Sequence, residues 1–301
     1  MNGEFARLAA ARKIMARAAP SRPGIASDRA AAERWIRRFA AGDGGSNGGT
    51  VVTRHADGRL LVCPPRRAAD GRRVLYVHGG GMVYYSTDVF RSFLSLLASE
   101  LECVVEAFDY LKAPEHSIER SVEDLTVRMC ARAEALPGGP VILAGDSVGG
   151  LLSLYLASRA LPGAFARLVM IYPVLDLWTE RESYAEFGEN HFLDATVLRG
   201  FKSLLRPYFA AHAFDPFAMS GDEFADLPPC SVVTAGCDVL RDEGAAWVSH
   251  VRARGGDPLH QHFADLPHDF CLYSERLACA REAVVIIART AFPREEEHVW
   301  S

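Results

Sequence analysis

Three side chains in one chain order carry the chemistry: a serine at 147, an aspartate at 238 and a histidine at 268. Ser147 is the centre of Gly145-Asp146-Ser147-Val148-Gly149. That stretch lies directly behind the apolar run Val141-Ile142-Leu143-Ala144 and ahead of Leu151-Leu152-Ser153-Leu154-Tyr155-Leu156-Ala157. A strand that enters a turn with glycine at both ends and leaves as a helix is the context in which G-x-S-x-G raises a hydroxyl above a sheet. Small flanking residues let the neighbouring chain pass close to a strained serine. Acyl transfer from that serine also needs a base, a group that orients the base, and donors for the oxyanion.

Each of these has a candidate just past a predicted strand. His78-Gly79-Gly80-Gly81 follows Val74-Leu75-Tyr76-Val77, and its glycines let backbone N–H groups turn toward a substrate oxygen. Gly80 and Gly81, with the N–H of Val148, are the predicted oxyanion donors. Asp238 comes after the strand Ser231 to Ala235, past Gly236 and Cys237, and is the predicted partner of the imidazole. Its rivals Asp242 and Glu243 read as the acidic first turn of the next helix. His268 follows the strand Leu259 to Phe263 through a short turn containing Pro267 and is the predicted base. His78 precedes the glycines, so its ring is expected to hold their loop rather than face the serine. His260 and His262 lie inside a strand and read as structural. Met82, Tyr84, Tyr85 and Asp146 are the predicted substrate-pocket residues.

The elements that must position these groups alternate. Predicted strands run Val51 to His55, Leu60 to Cys63, Val74 to His78, Cys103 to Ala107, Val141 to Ala144, Leu168 to Tyr172, Ser231 to Ala235 and Leu259 to Phe263. The first two form a hairpin around Asp57-Gly58. Those from Val74 onward are mostly continuous apolar runs, as expected of strands covered on both faces. Phe93-Leu94-Leu97-Leu101 and Val122-Leu125-Met129-Cys130 repeat at helical spacing. Strands alternating with helices predict an α/β fold, an eight-stranded, mostly parallel sheet flanked by helices.

The interval from Trp178 to Pro216 breaks that rhythm. It is aromatic-rich and reads as helical through Leu198, Phe201, Leu204, Leu205, Tyr208 and Phe209. A helical cap of about 1–46 and 178–216 over a catalytic core of about 47–177 and 217–301 is the expectation; an ordinary set of packing helices is the alternative. Within the N-terminal part, Phe5, Leu8, Ala9, Ile14 and Met15 are expected to face the body from an amphipathic helix. A membrane-surface helix is the rival reading. The glycine-rich stretch Ala41 to Gly49 reads as a flexible joint.

Composition closes off several classes. A chain of 301 residues, 49% apolar, is long enough for one large core. A net charge of −5 argues against nucleic acid as a partner. No stretch reaches the roughly 18 apolar residues that cross a bilayer, so stable membrane insertion is not expected. Seven cysteines without a C-x-x-C pair read as reduced thiols, which points to the cytoplasm. A homodimer is left open.

Taken together, these residues resemble the hormone-sensitive-lipase-like esterases of the α/β-hydrolase superfamily. The resemblance runs from about Val74 to Tyr273 and rests on several motifs in order. They are His78-Gly79-Gly80-Gly81, Asp109-Tyr110 with Ala113-Pro114-Glu115-His116, Ala144 to Gly150 around the serine, Asp215-Pro216, Leu227-Pro228-Pro229, Asp238 to Gly244, and His268-Asp269-Phe270. The chain order Ser147, Asp238, His268 is also that of α/β-hydrolases. The resemblance implies a carboxylic ester hydrolase with a two-part cap and with neither metal nor organic cofactor. Some positions depart from the family. Val148 stands where alanine is usual. Met82-Val83-Tyr84-Tyr85 fills a stretch that usually holds a glycine near position 85. Leu111-Lys112 and Ser117-Ile118-Glu119 differ from the usual residues, and Asp269 stands where glycine is common.

The expected function is therefore hydrolysis of a small acyl ester through an acyl-enzyme, with a small-molecule acyl substrate as the partner. An amidase, formamidase or N-acyl deacetylase would use the same triad. A biosynthetic dehydratase or cyclase and a non-catalytic binder are the remoter alternatives.

Overall fold

A computed structural model describes residues 1–9, 25–40, 49–135 and 139–293. Eight strands form one sheet in the order β1-β2-β4-β3-β5-β6-β7-β8. They are β1 (Val51–Arg54), β2 (Arg59–Cys63), β3 (Arg73–Val77), β4 (Val104–Phe108), β5 (Val141–Asp146), β6 (Arg167–Ile171), β7 (Cys230–Cys237) and β8 (Leu259–Pro267). β1 and β2 make the predicted hairpin, with Gly58 at φ 84° in its turn, and β2 is antiparallel to β4. Every other neighbouring pair is parallel.

The parallel strands alternate between two apolar cores. Leu75, Val77, Leu143, Leu168, Met170 and Val232 pack on one face. Val74, Tyr76, Ile142, Val169, Ile171 and Val233 pack on the other. Successive side chains of a strand point to opposite faces, so a strand covered on both sides must be apolar at every position. Helices Ile118–Ala135, Val148–Tyr155 and Arg241–Arg252 cover the first face. Helices Arg91–Leu101 and Ala278–Thr290 cover the second.

The region 178–216 holds the helices Ser183–Phe187 and Ala195–Ala211 and no strand among the described residues. On the longer helix Leu198, Lys202, Leu205, Tyr208 and Phe209 share a buried face. Leu204 does not join them: it is 43% exposed, one position off that face. Phe5 is fully buried, edge-on to Phe192 and Tyr273, and Leu8 and Ala9 lie against the same core. Ile14, Met15 and most of the glycine-rich joint lie outside the described residues. Among the described residues no helix is long and apolar enough to cross a membrane.

One feature of the sheet departs from the sequence reading. β8 does not stop at Phe263; it runs to Pro267, and no separate turn precedes His268. Ala235 pairs with Phe263, but Cys237 pairs with Pro267. β7 thus advances two positions while β8 advances four, a bulge that bends a strand and increases its twist. Gly236 faces the bulge, and a side chain there would strike the Ala264 backbone.

Candidate active site

The site is assembled at the C-terminal ends of β3, β5, β7 and β8, where open α/β sheets present their ligand-binding loops. Ser147 follows β5 at φ 54° and ψ −122°, outside the usual regions for an L-residue. The strain is enforced from below. A side chain at Gly149 would run into the Val77 carbonyl, so the helix that follows the serine lies directly on β3. The Ser147 N–H donates to the Ile171 carbonyl at 2.9 Å, which ties the turn to β6 as well.

His268 and Asp238 complete a line of hydrogen bonds. His268 Nε2 lies 3.1 Å from Ser147 Oγ, and Nδ1 lies 2.8 Å from Asp238 Oδ2. The other oxygen of Asp238 accepts the Leu240 N–H at 3.0 Å. All three residues are buried. Burial acts to lower the His268 pKa, but the Asp238 and Asp269 carboxylates outweigh it and raise it to about 9. In the neutral ring, a proton on Nδ1 facing Asp238 leaves Nε2 open toward Ser147 Oγ.

The glycine loop after β3 is fixed by its neighbours. The Tyr110 hydroxyl donates to the Gly79 carbonyl at 2.9 Å, and the Gly79 N–H donates to Asp146 Oδ1 at 2.8 Å. Gly80 has φ 111°, and a side chain there would strike the Tyr84 carbonyl, so only glycine fits. Among the described residues neither the Gly80 nor the Gly81 N–H donates to a protein acceptor. Val148 opens a helix, where the first N–H groups lack an intrahelical partner. These are the amides an oxyanion would find.

His78 is buried under this loop. Its ring stacks on Tyr110 with centroids 4.2 Å apart, Nδ1–H donates to the Gly79 carbonyl at 2.6 Å, and Nε2 stands 3.4 Å from Asp109. Burial holds its pKa below the ordinary histidine value. His260 and His262 both meet the Thr234 hydroxyl, at 2.8 and 2.9 Å, on the sheet edge.

A cavity of about 430 Å³ opens over Ser147. Gly80, Gly81, Ser147, His268 and Asp269 form its floor. Its walls and roof include Tyr84, Tyr85 and Phe192, with Asp28, Ala31 and Ala32 from the helix Ile25–Phe39 and Val197 and Phe201 from the helix Ala195–Ala211. The predicted pocket residues Tyr84 and Tyr85 line it; Met82 and Asp146 do not. Met82 has φ 60°, which turns its side chain down into the core beside Leu75 and Val77. Asp146 is buried beneath the glycine loop, where Oδ1 accepts from the Tyr76 hydroxyl at 2.6 Å as well as from Gly79, and Oδ2 has no hydrogen-bond partner among the described residues. Burial pushes its carboxyl up to about 7. Its role is to tie the serine turn to the glycine loop.

The sequence also concealed how the roof is held. Lys202 and Glu243 form a fully buried ion pair at 2.6 Å, and Glu243 accepts the Leu175 N–H at 2.8 Å. In the sequence Glu243 is indistinguishable from any acid in the first turn of a helix. Arg29 donates to the Val83 carbonyl at 2.6 Å and forks onto Glu115 at 2.8 Å, joining the Ile25–Phe39 helix to the segment behind the glycines. A lysine on an apolar helix face, Leu198-x-x-x-Lys202-x-x-Leu205, was the available signal.

Comparison with known proteins agrees with this fold. A family profile for the alpha/beta hydrolase fold matches residues 74–272. Esterase LipI of Mycobacterium tuberculosis is 30% identical over 234 residues, covering 74% of this chain and 72% of its own. The ethyl acetate hydrolase of Pseudomonas putida is 30% identical over 239 residues, 75% of each chain. The crystal structure of a thermostable esterase from Pseudomonas putida ECU1011 superposes with a TM-score of 0.80 at 22% identity, covering 93% of this chain and 94% of that one. The strand order, the serine turn between β5 and its helix, and the span of that profile converge: the chain belongs to the α/β-hydrolase fold family and, within it, to the hormone-sensitive-lipase-like esterases.

Proposed function

We propose that the chain hydrolyses small carboxylic esters through an acyl-enzyme formed on Ser147. The single observation that carries this reading is the unbroken line Ser147 Oγ, His268 and Asp238 at 3.1 and 2.8 Å beneath an open cavity. Ser147 Oγ bonds the ester carbonyl carbon while its proton passes to His268 Nε2 and the carbonyl electron pair moves onto oxygen. The Gly80, Gly81 and Val148 amides stabilise that oxyanion, each worth about 3–4 kcal/mol in comparable sites. His268 then gives its proton to the leaving alkoxide as the C–O bond breaks. Water, activated by the same imidazole, releases the acid. Asp238 holds the ring in the right tautomer and stabilises the imidazolium.

The cavity volume and its aromatic walls suit a short acyl or alcohol group. The helices Ile25–Phe39 and Ala195–Ala211 act as the two parts of the cap in this reading. The seven unpaired cysteines fit a reducing compartment such as the cytoplasm.

The test is a paired one. The parent should cleave short p-nitrophenyl esters and gain the mass of one organophosphate on Ser147, and Ser147→Ala should lose both. Full turnover by Ser147→Ala sinks the proposal. A matched amide cleaved with higher kcat/KM than the ester would replace the substrate class while keeping the triad.

A further inference from the structure

The catalytic imidazole has a carboxylate on each side. Asp238 meets Nδ1, and Asp269 Oδ1 stands 3.7 Å from Nε2, the nitrogen that faces Ser147. Asp269 lines the cavity, and so does Tyr85, whose hydroxyl donates to Asp269 Oδ2 over a long 3.5 Å. Both residues have left-handed backbones, φ 62° for Asp269 and φ 67° for Tyr85. Such conformations cost an L-residue with a side chain energy that glycine avoids, and they persist where surrounding structure enforces them. Asp269 also stands where the resemblance leads one to expect glycine, and Tyr85 lies in a stretch that usually holds one nearby. The departures are therefore not independent: they meet in space, and together they place a carboxylate beside the base.

We propose that Asp269, seated by Tyr85, is a positioning residue that stabilises the charged form of His268 from the serine side. The inference rests on the triad reading above and adds a second counter-charge to it. When the Ser147 proton arrives on Nε2, the ring is cationic between two anions. The proton then leaves for the alkoxide oxygen, and Asp269 itself neither forms a bond nor takes a proton. Other charged and titratable groups bear on the same ring. Asp146 approaches from the serine turn, and Tyr172, after β6, lies with its centroid 4.8 Å from the ring. Asp269 in turn acts on Tyr76 of β3 and on Cys271. Asp28 and Asp194 line the cavity from the roof. A neighbouring opposite charge moves a titration by one or more units, so Asp269 raises the pH at which the base becomes free to act.

The experiment is the pH profile of kcat/KM on a short p-nitrophenyl ester for the parent, Asp269→Asn, Asp269→Gly and Tyr85→Phe. Loss of the carboxylate lowers the imidazolium pKa, so the acid limb should move to lower pH by about one unit in both Asp269 variants. Tyr85→Phe should move it the same way by less. Glycine accepts a φ of 62°, so Asp269→Gly should melt no lower than the parent, which separates a lost charge from a lost fold. An acid limb that coincides with the parent's in both Asp269 variants, with Ser147 still labelled by organophosphate, overturns this proposal alone. A parent in which Ser147 is not labelled overturns the triad reading and this one with it.

Discussion

The floor and the roof of the cavity are built by different means. On the floor, Ser147, Asp238 and His268 hang from the ends of β5, β7 and β8, and the glycine loop from β3, so one sheet places every group and the Tyr110 and Asp146 side chains only trim the loop. The roof helices Ile25–Phe39 and Ala195–Ala211 cross no strand. Their polar anchors are side chains: Arg29 onto Val83 and Glu115, Trp35 onto Tyr273, Glu33 accepting from Ser86, Lys202 onto Glu243 and Arg206 onto the Leu177 carbonyl. A backbone-built floor fixes the chemistry to a fraction of an ångström. A clamped roof moves or tilts when one side chain is lost. Floor substitutions should therefore strike kcat with little change in stability, and roof substitutions should strike stability and KM.

The largest effect tests the floor. Ser147→Ala should lower kcat about 10⁶-fold and Asp238→Asn about 10⁴-fold, with melting temperatures near the parent's above about pH 9, where the imidazolium no longer contributes. A large fall in stability with either would mean that the floor, too, is held by side chains. Next comes Gly80→Ala, which forces a side chain against the Tyr84 carbonyl and displaces an oxyanion amide; kcat should fall about 10²–10³-fold while KM holds.

The roof follows. Lys202→Ala strands a buried carboxylate and should cost about 3–5 kcal/mol in urea unfolding. Adding Glu243→Leu to Lys202→Met should recover most of that loss, because an apolar pair of similar volume needs no partner. If Lys202→Ala instead lowers kcat at unchanged stability, the distinction between the two regions fails. Arg29→Ala should give the smallest change, a rise in KM of a few-fold, since its Glu115 partner is half exposed and such pairs are weak.

A pH series sharpens the comparison from both sides. His268 must be neutral to take the serine proton, and its pKa is raised to about 9. Values of kcat/KM should therefore climb with pH, reach half their maximum near 9 and level off above it. The same shift stabilises the fold with the imidazolium present, fully below the unfolded value of about 6.5. That contribution should fade as pH rises from about 6.5 to about 9. Asp238→Asn should flatten this loss, and Lys202→Met with Glu243→Leu should leave it intact.

What the sequence disclosed follows the same division. Ser147, Asp238 and the glycine loop were legible because each stands one short step past an apolar strand; His268 follows the half-polar edge strand β8 and was legible from the chain order Ser147, Asp238, His268. Asp146 was misread as a pocket wall because its partners, Tyr76 and Gly79, come from another strand. Met82 was misread because a left-handed backbone reverses the direction its place in the chain implies. Glu243 looked like an ordinary helix-start acid, and only the packing of a distant helix gives it Lys202.

The bulge between Ala235 and Pro267 has a consequence for how this enzyme tolerates change. Two surplus residues in β8 lengthen the path to the imidazole by about 6.6 Å at the usual rise of a strand. A deletion that restored regular pairing would satisfy the sheet better and withdraw the base beyond reach of the nucleophile. Selection for a tidier edge and selection for turnover therefore pull in opposite directions on Ala264, Asp265 and Leu266. A shortened variant should fold, resist heat and do nothing.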